Sequence, residues 1–260
     1  SVCARRQTRK NMTTRKELLP GVFLTSIQDR RFKTACFSLS FLRPLRQEEA
    51  GMNALLPSVL LRGSESAPSI RAIADRLDAL CGASVGALVR KKGEIQLTGL
   101  FADGLEDRYA GEPVFSRLLE LTAELLLRPR TQGGVFVPQI VMQERQKLLD
   151  TIESTLDDKA EYCQTQLLRQ MCRGEAYAVG RLGEAGPLAA VDEAALWAHY
   201  QKVLASSRAE LFYLGSKPAQ EVAALLRPLL KKGEKIPFWR LALIELPSEV
   251  IMVAGYFGYK

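Results

Sequence analysis

A single histidine, His199, occurs in 260 residues. That scarcity excludes every metal site needing two imidazoles, the His2Glu zinc arrangement included. The five cysteines (Cys3, Cys36, Cys81, Cys163 and Cys172) contain no CxxC pair, which argues against an all-cysteine zinc site or a dithiol redox motif. There is no Gly-x-Ser-x-Gly elbow, no Walker A loop and no Gly-x-Gly-x-x-Gly after a strand, so the common nucleophile and phosphate-binding signatures are missing. No apolar run approaches the roughly 18 residues that span a bilayer. The richest stretch, Leu119 to Leu127, is broken by Glu120 and Glu124, and no membrane partner is expected.

Acidic residues are absent from residues 1–16, which hold Arg5, Arg6, Arg9, Lys10, Arg15 and Lys16. These six account for nearly all of the net charge of +7: they leave 30 basic against 29 acidic residues in the rest of the chain. A neutral body argues against a nucleic-acid-binding face. Residues 1–16 read as a basic disordered leader, with Met12 as a natural start. The odd number of widely spaced cysteines, mostly in apolar segments, reads as reduced, buried thiols of a cytoplasmic protein.

What is present is an ordinary globular composition, 47% apolar and 25% charged. Val22 to Ile27 and Thr34 to Phe41 are apolar-rich segments joined by Gln28-Asp29-Arg30-Arg31 and read as a hairpin. GMNALLPSVLLRG, Gly51 to Gly63, reads as a core helix: Leu55, Leu56, Val59 and Leu60 recur at helical spacing, with Glu48 and Glu49 at the start. Pro57 inside it is expected to kink the helix. Ser69 to Leu80 is a second helix, and Ser84–Arg90 and Glu94–Phe101 are two strands around Lys91-Lys92-Gly93. Helices follow at Phe115 to Leu127, at Val141 to Arg173 with a break near Asp157-Asp158, and at Val191 to Leu204. Residues 130–137 and 180–187 are loops. Ala209 to Leu214 is a strand and Pro218 to Leu230 the last helix. Clustered rather than alternating elements imply α+β, a mostly antiparallel sheet with helices on one side. Residues 231–260 read as a linker and the start of a truncated or divergent second domain after a domain at 17–230.

The residues themselves support little catalysis. His199, beside Trp197 and Tyr200, reads as a surface or boundary histidine. Glu153, Asp157 and Asp158 read as a solvated acidic face, Lys91-Lys92 as a solvated turn pair, and Tyr177 as a ring packing its loop onto the domain.

The element order, with the strings ALLPSVLLRGSES, DRLDALCGASVGALVRKKGE and DDKAEYCQTQLLRQMCRGEAYAV, resembles the N-terminal half of the M16 metallopeptidases, the insulinase and mitochondrial-processing-peptidase-like family. The likeness covers about residues 15–230. A narrower resemblance is to catalytically inactive M16-like proteins of Firmicutes associated with aminopentanol modification of elongation factor P. The resemblance implies the M16/LuxS-type metallohydrolase-like fold. Active members carry His-x-x-Glu-His on the helix equivalent to Gly51–Gly63, where two histidines bind zinc and the Glu activates water. Matching Gly51-Met52-Asn53 to the lead-in places Ala54 and Ser58 on the histidines and Pro57 on the Glu. Matching Glu144-Arg145 to the family's Glu-Arg pair places Thr151 on the third ligand. All four positions depart from the motif, so the resemblance implies no metal, no cofactor and no catalysis. It also implies pairing with an active M16 homologue, or self-association, around a chamber for peptide or unfolded polypeptide. Two alternatives are zinc peptidase activity through Asp150, Glu153 and Asp157, and a stand-alone peptide- or protein-binding module.

Overall fold

The computed structural model describes residues 12–155 and 157–231. Residues 1–11, Cys3 among them, and the stretch read as a second-domain start from 232 onward lie outside the described residues. The chain opens with three strands, β1 (Met12–Leu19), β2 (Val22–Gln28) and β3 (Thr34–Pro44), then two helices, α1 (Gln47–Leu60) and α2 (Ile70–Asp78). Strands β4 (Ser84–Lys92) and β5 (Ile95–Leu105) follow, then α3 (Asp107–Ala110) and α4 (Val114–Leu127). A two-residue ribbon, β6 (Thr131–Gln132) with β7 (Val135–Phe136), leads into α5 (Pro138–Ser154) and α6 (Lys159–Met171). The chain continues through α7 (Ala185–Ala189), α8 (Glu193–Ser206), β8 (Arg208–Gly215) and α9 (Ala219–Lys231). The architecture is the expected α+β.

Six strands form one sheet in the order β1-β2-β8-β3-β5-β4. All neighbours are antiparallel except β2 and β8, which run parallel from Val22↔Ala209 to Gln28↔Gly215. Two expectations are corrected here. Met12–Lys16, assigned to a disordered leader, form most of edge strand β1, paired with β2 around the Pro20-Gly21 turn. The apolar segments β2 and β3 are not a hairpin, because β8 lies between them and pairs with both. The connection after Gln28 spans the end of β8, where Asp29 N donates to Gly215 O at 2.8 Å. A strand arriving 180 residues later is invisible to local turn chemistry.

Alternation along the strands sorts side chains onto two faces. Phe37, Leu39, Leu100, Ala102, Leu211 and Tyr213 face the helices and join α1, α4, α8 and α9 in the main core. Phe115 of α4 stacks edge-on between Phe37 and Tyr213, with centroids 5.6 and 5.0 Å away. Leu42, Ile95 and Leu97 form a small separate cluster on the opposite face of β3 and β5. Polar caps set several helix starts: Ser69 Oγ accepts from Ala72 N, Asp158 from Ala160 N and Glu161 N, and Asp192 from Ala195 N. The Asp158 cap marks the break expected near Asp157-Asp158. Thr131–Phe136 and Ala185–Ala189, read as loop, contain the ribbon and a short helix.

The cysteines also depart from expectation. Cys81 and Cys163 are exposed, Cys36 and Cys172 half-buried, and none of these four forms a disulfide. Cys81 occupies a left-handed turn position (φ 59°) after α2, and Cys163 lies on the outer side of α6. Among the described residues no helix is long and apolar enough to cross a membrane.

Candidate functional site

Helix α1 lies across β4 and β5, with α5 and α7 packed beside it. Its residues 50–57 are buried apart from half-buried Met52, so the helix is a core element before it is anything else. Helical order is unbroken through Pro57. Proline has no N–H, so the carbonyl of Asn53, four residues earlier, loses its helical donor. Thr98 of β5 replaces it: Thr98 Oγ1 donates to Asn53 O at 2.6 Å in a fully buried setting. The loss inside the helix is thus offset from the sheet.

The Asn53 side chain extends this contact into a buried network. Asn53 Nδ2 donates to Gln96 Oε1 at 2.9 Å, and Gln96 Nε2 donates to Ala50 O at 3.0 Å and Arg181 O at 2.8 Å. The remaining acceptor, Asn53 Oδ1, lies 2.7 Å from His199 Nε2, which fits a neutral imidazole with its proton on Nε2. His199 is only 5% exposed, not a boundary residue. Burial pushes it down to about 4; the charge of Glu49 opposes this, and Arg43 and Lys202 push the same way. Helix α8 carries His199 inward because Leu196, Tyr200 and Val203 on the same face enter the core.

Next to this network Glu49 bridges Arg43 and Lys202, the latter at 2.6 Å. Burial alone would raise the Glu49 carboxyl, but hydrogen bonds from Lys202 and Arg43 overcome it and hold it at about 2. These ions and amides tie α1 to β3, β5 and α8. Hydrogen bonds and ion pairs within the cluster satisfy most of its polar atoms, as in a structural assembly; the buried Arg43 Nε has no hydrogen-bond partner among the described residues.

The four motif positions are arranged as follows. Ala54 and Pro57 are buried and Ser58 is half-buried, all on α1. Thr151 is exposed on α5, and its hydroxyl donates to Lys147 O at 2.8 Å. Zinc requires histidine nitrogens, thiolates or carboxylates. A methyl group, a pyrrolidine ring and two aliphatic hydroxyls do not fit it. Glu144, from the Glu-Arg pair, is buried against Arg62 at 2.7 Å and Lys147 at 2.9 Å, and Arg145 donates to Val191 O at 2.5 Å. Asp150, Glu153 and Asp157 are exposed. Among the described residues no group of three histidines, cysteines or acids is placed to hold a metal ion.

The loop after α6 closes over the N-terminal half of α1. Gly183 adopts φ +77°, and a Cβ there would lie 2.4 Å from Gly51 N. Only a glycine in a left-handed conformation permits this approach. Lys91 holds the same loop: its Nζ donates to Tyr177 O at 2.5 Å and Val179 O at 2.8 Å, and sits 4.2 Å from the centroid of the Tyr177 ring. Lys91 is therefore a bracing residue, not a solvated turn lysine. Tyr177 does pack its loop onto the domain. Residue type alone had one signal for the hidden network: Gln96 and Thr98 alternate on a strand otherwise facing a core helix.

A six-stranded mixed sheet covered on one face, with an N-terminal-half helix laid across its β4 edge, is the fold of M16 peptidase-like domains, and the chain is a homologue of inactive M16 peptidase-like proteins. It is 30% identical over 217 residues to "Probable inactive metalloprotease YmfF" of Bacillus subtilis (strain 168), covering 83% of this chain and 51% of that protein. A conserved protein from Enterococcus faecalis V583 superposes with a TM-score of 0.79 at 27% identity, over 89% of this chain and 54% of that one. A peptidase M16 inactive domain from Pseudomonas fluorescens superposes with a TM-score of 0.66 at 16% identity, over 91% of this chain and 54% of that one. No family model matches the sequence. The chain spans about half the length of these relatives.

Proposed function

We propose that this chain is a non-catalytic M16 peptidase-like subunit that pairs with an active M16 homologue and forms part of a peptide-binding chamber. One observation carries the reading. The helix that would present zinc to a substrate offers Ala54, Pro57 and Ser58, and its neighbouring polar groups are committed to one another. Ala54, Pro57, Ser58 and Thr151 are on this reading the degenerate positions of the peptidase motif. The name of the Bacillus relative supports the same reading. Peptide contact then falls to the sheet edge, since β4 ends the sheet beside α1 and an open edge accepts an extended chain as an extra strand. The partner class follows from the family, and a link to elongation factor P modification in the cytoplasm follows from the narrower resemblance.

Purified protein is expected to hold no stoichiometric zinc and to cleave no unstructured peptide, and affinity capture from native lysate is expected to recover an M16 homologue carrying His-x-x-Glu-His. One tightly bound zinc per chain, with peptidase activity lost on chelation, would overturn the non-catalytic reading. Repeated capture without any M16 homologue would overturn the pairing.

A further inference from the structure

The outer edge of β4 has an unused backbone ladder and an asymmetric charge. Its inner side pairs with β5 from Ser84↔Asp103 to Lys92↔Ile95. Val89 O accepts a long 3.4 Å hydrogen bond from Arg181 Nη1, so Val89, and with it Val85 and Ala87, direct their backbone groups outward. No other described residue pairs with this edge through its backbone. A groove of about 530 Å³ runs along it, lined by Ala87, Leu88, Val89, Lys91, Phe101 and Arg181 among others.

One end of the groove is apolar and the other cationic. At the Gly86 end the Phe101 ring lies so close that a Cβ on Gly86 would be 2.4 Å from it. At the other end the strand finishes Arg90-Lys91-Lys92, and exposed Arg181 reaches in from the loop after α6. The hydrogen bonds of Lys91 go to neutral carbonyls. Lys92 Nζ is enclosed without a hydrogen-bond partner among the described residues. Glu94, exposed on the turn, is the nearest acid in sequence, and no ion pair of Lys91, Lys92 or Arg181 with a carboxylate occurs among the described residues. Positive charge is thus concentrated where a strand-like ligand would end.

We infer that the β4 edge takes an extended peptide bearing a carboxylate, at a side chain or at its C-terminus, placed against Arg181 and Lys91. This rests on the proposed peptide-docking function and names its ligand class. Arg181 acts as a placeholder. Its long bond to Val89 O is exchanged for a peptide N–H, and the released guanidinium takes the carboxylate, an ionised acceptor that binds it more strongly than a neutral carbonyl does. Lysines on an edge strand also serve to deter unwanted pairing; that reading makes the edge refuse peptides whatever their charge.

The test is fluorescence anisotropy of the full chain with labelled β-prone octapeptides. One carries Glu near an amidated C-terminus, one carries Gln with a free C-terminal carboxylate, one carries Gln with an amidated terminus, and one carries Lys. At least one carboxylate peptide is expected to bind about tenfold tighter than the neutral one, and the two carboxylate arms distinguish side chain from terminus. The preference is expected to shrink in high salt. Arg181→Gln is expected to reduce the ratio of carboxylate-peptide to neutral-peptide affinity below about twofold. Equal affinity for all four peptides, with amide exchange of residues 85–91 slowed by each, would overturn the carboxylate assignment and leave peptide docking standing. No binding by any peptide would overturn both.

Discussion

Replacing Thr98 by valine isolates the device that lets α1 carry a proline. The wild-type Asn53 carbonyl accepts from Thr98 Oγ1 at 2.6 Å in place of its usual helical donor, since Pro57 has no N–H to give. Valine keeps the volume and shape of threonine and removes only that donor. A buried carbonyl left unpaired costs about 1–3 kcal/mol, and part is recovered because no hydroxyl is then buried, so a net loss of about 1–2 kcal/mol is expected. Pro57→Ala restores a backbone N–H one helical turn after Asn53. In that background the intrahelical bond can form, and Thr98→Val is expected to lose less than about 0.5 kcal/mol. Urea unfolding of the wild type, both single variants and the double variant at neutral pH measures the coupling from midpoints and slopes. Equal losses in the two backgrounds would show that Thr98 acts through packing. No loss in either would show that the carbonyl has another partner, and either result refutes the reasoning.

Two further outcomes follow from the same core. His199 is held at about 4 in the folded chain against roughly 6.5 when unfolded. The unfolded chain therefore binds the proton first, and stability falls as pH drops from about 6.5 to 4, by up to about 1.4 kcal/mol per pH unit. His199→Gln keeps a donor for Asn53 Oδ1 and is expected to flatten that slope in urea titrations across the window; an unchanged slope would remove His199 as its source. Gly183→Ala is expected to lose at least about 2 kcal/mol, because the left-handed φ and the 2.4 Å approach to Gly51 N both oppose a Cβ. Gly183→Asn tolerates the dihedral better but meets the same clash, so near-complete rescue by asparagine in thermal melts would show that strain, not contact, sets the requirement.

The sheet edge and the buried network are connected through a few residues. Gln96 joins Ala50 of α1 to Arg181 O, and Arg181 in turn reaches the β4 edge. Lys91 fixes the loop carrying Arg181 from the strand itself. The groove, formed by β4, Phe101 of β5 and Arg181, is thus tied through Gln96 to helix α1.

Local sequence already determined most element types, the core face of α1, the break before Asp158 and the absence of zinc-binding donors at the four motif positions. These follow from periodicity, capping and side-chain chemistry, which act over a few residues. It misjudged the neighbour relations. Nothing near Val22 or Thr34 announces that Arg208–Gly215 will separate them, because strand pairing is set by burial across the whole sheet. His199 looked solvent-facing among Trp197 and Tyr200, since an isolated helix does not show which face a distant asparagine will meet. Lys91 looked like a turn lysine until the loop after α6 supplied two carbonyls. Pro57 illustrates both levels. Its missing N–H is written in the residue, whereas its tolerance depends on a threonine 41 residues later in the chain, brought within 2.6 Å of the freed carbonyl by the packing of α1 on β5.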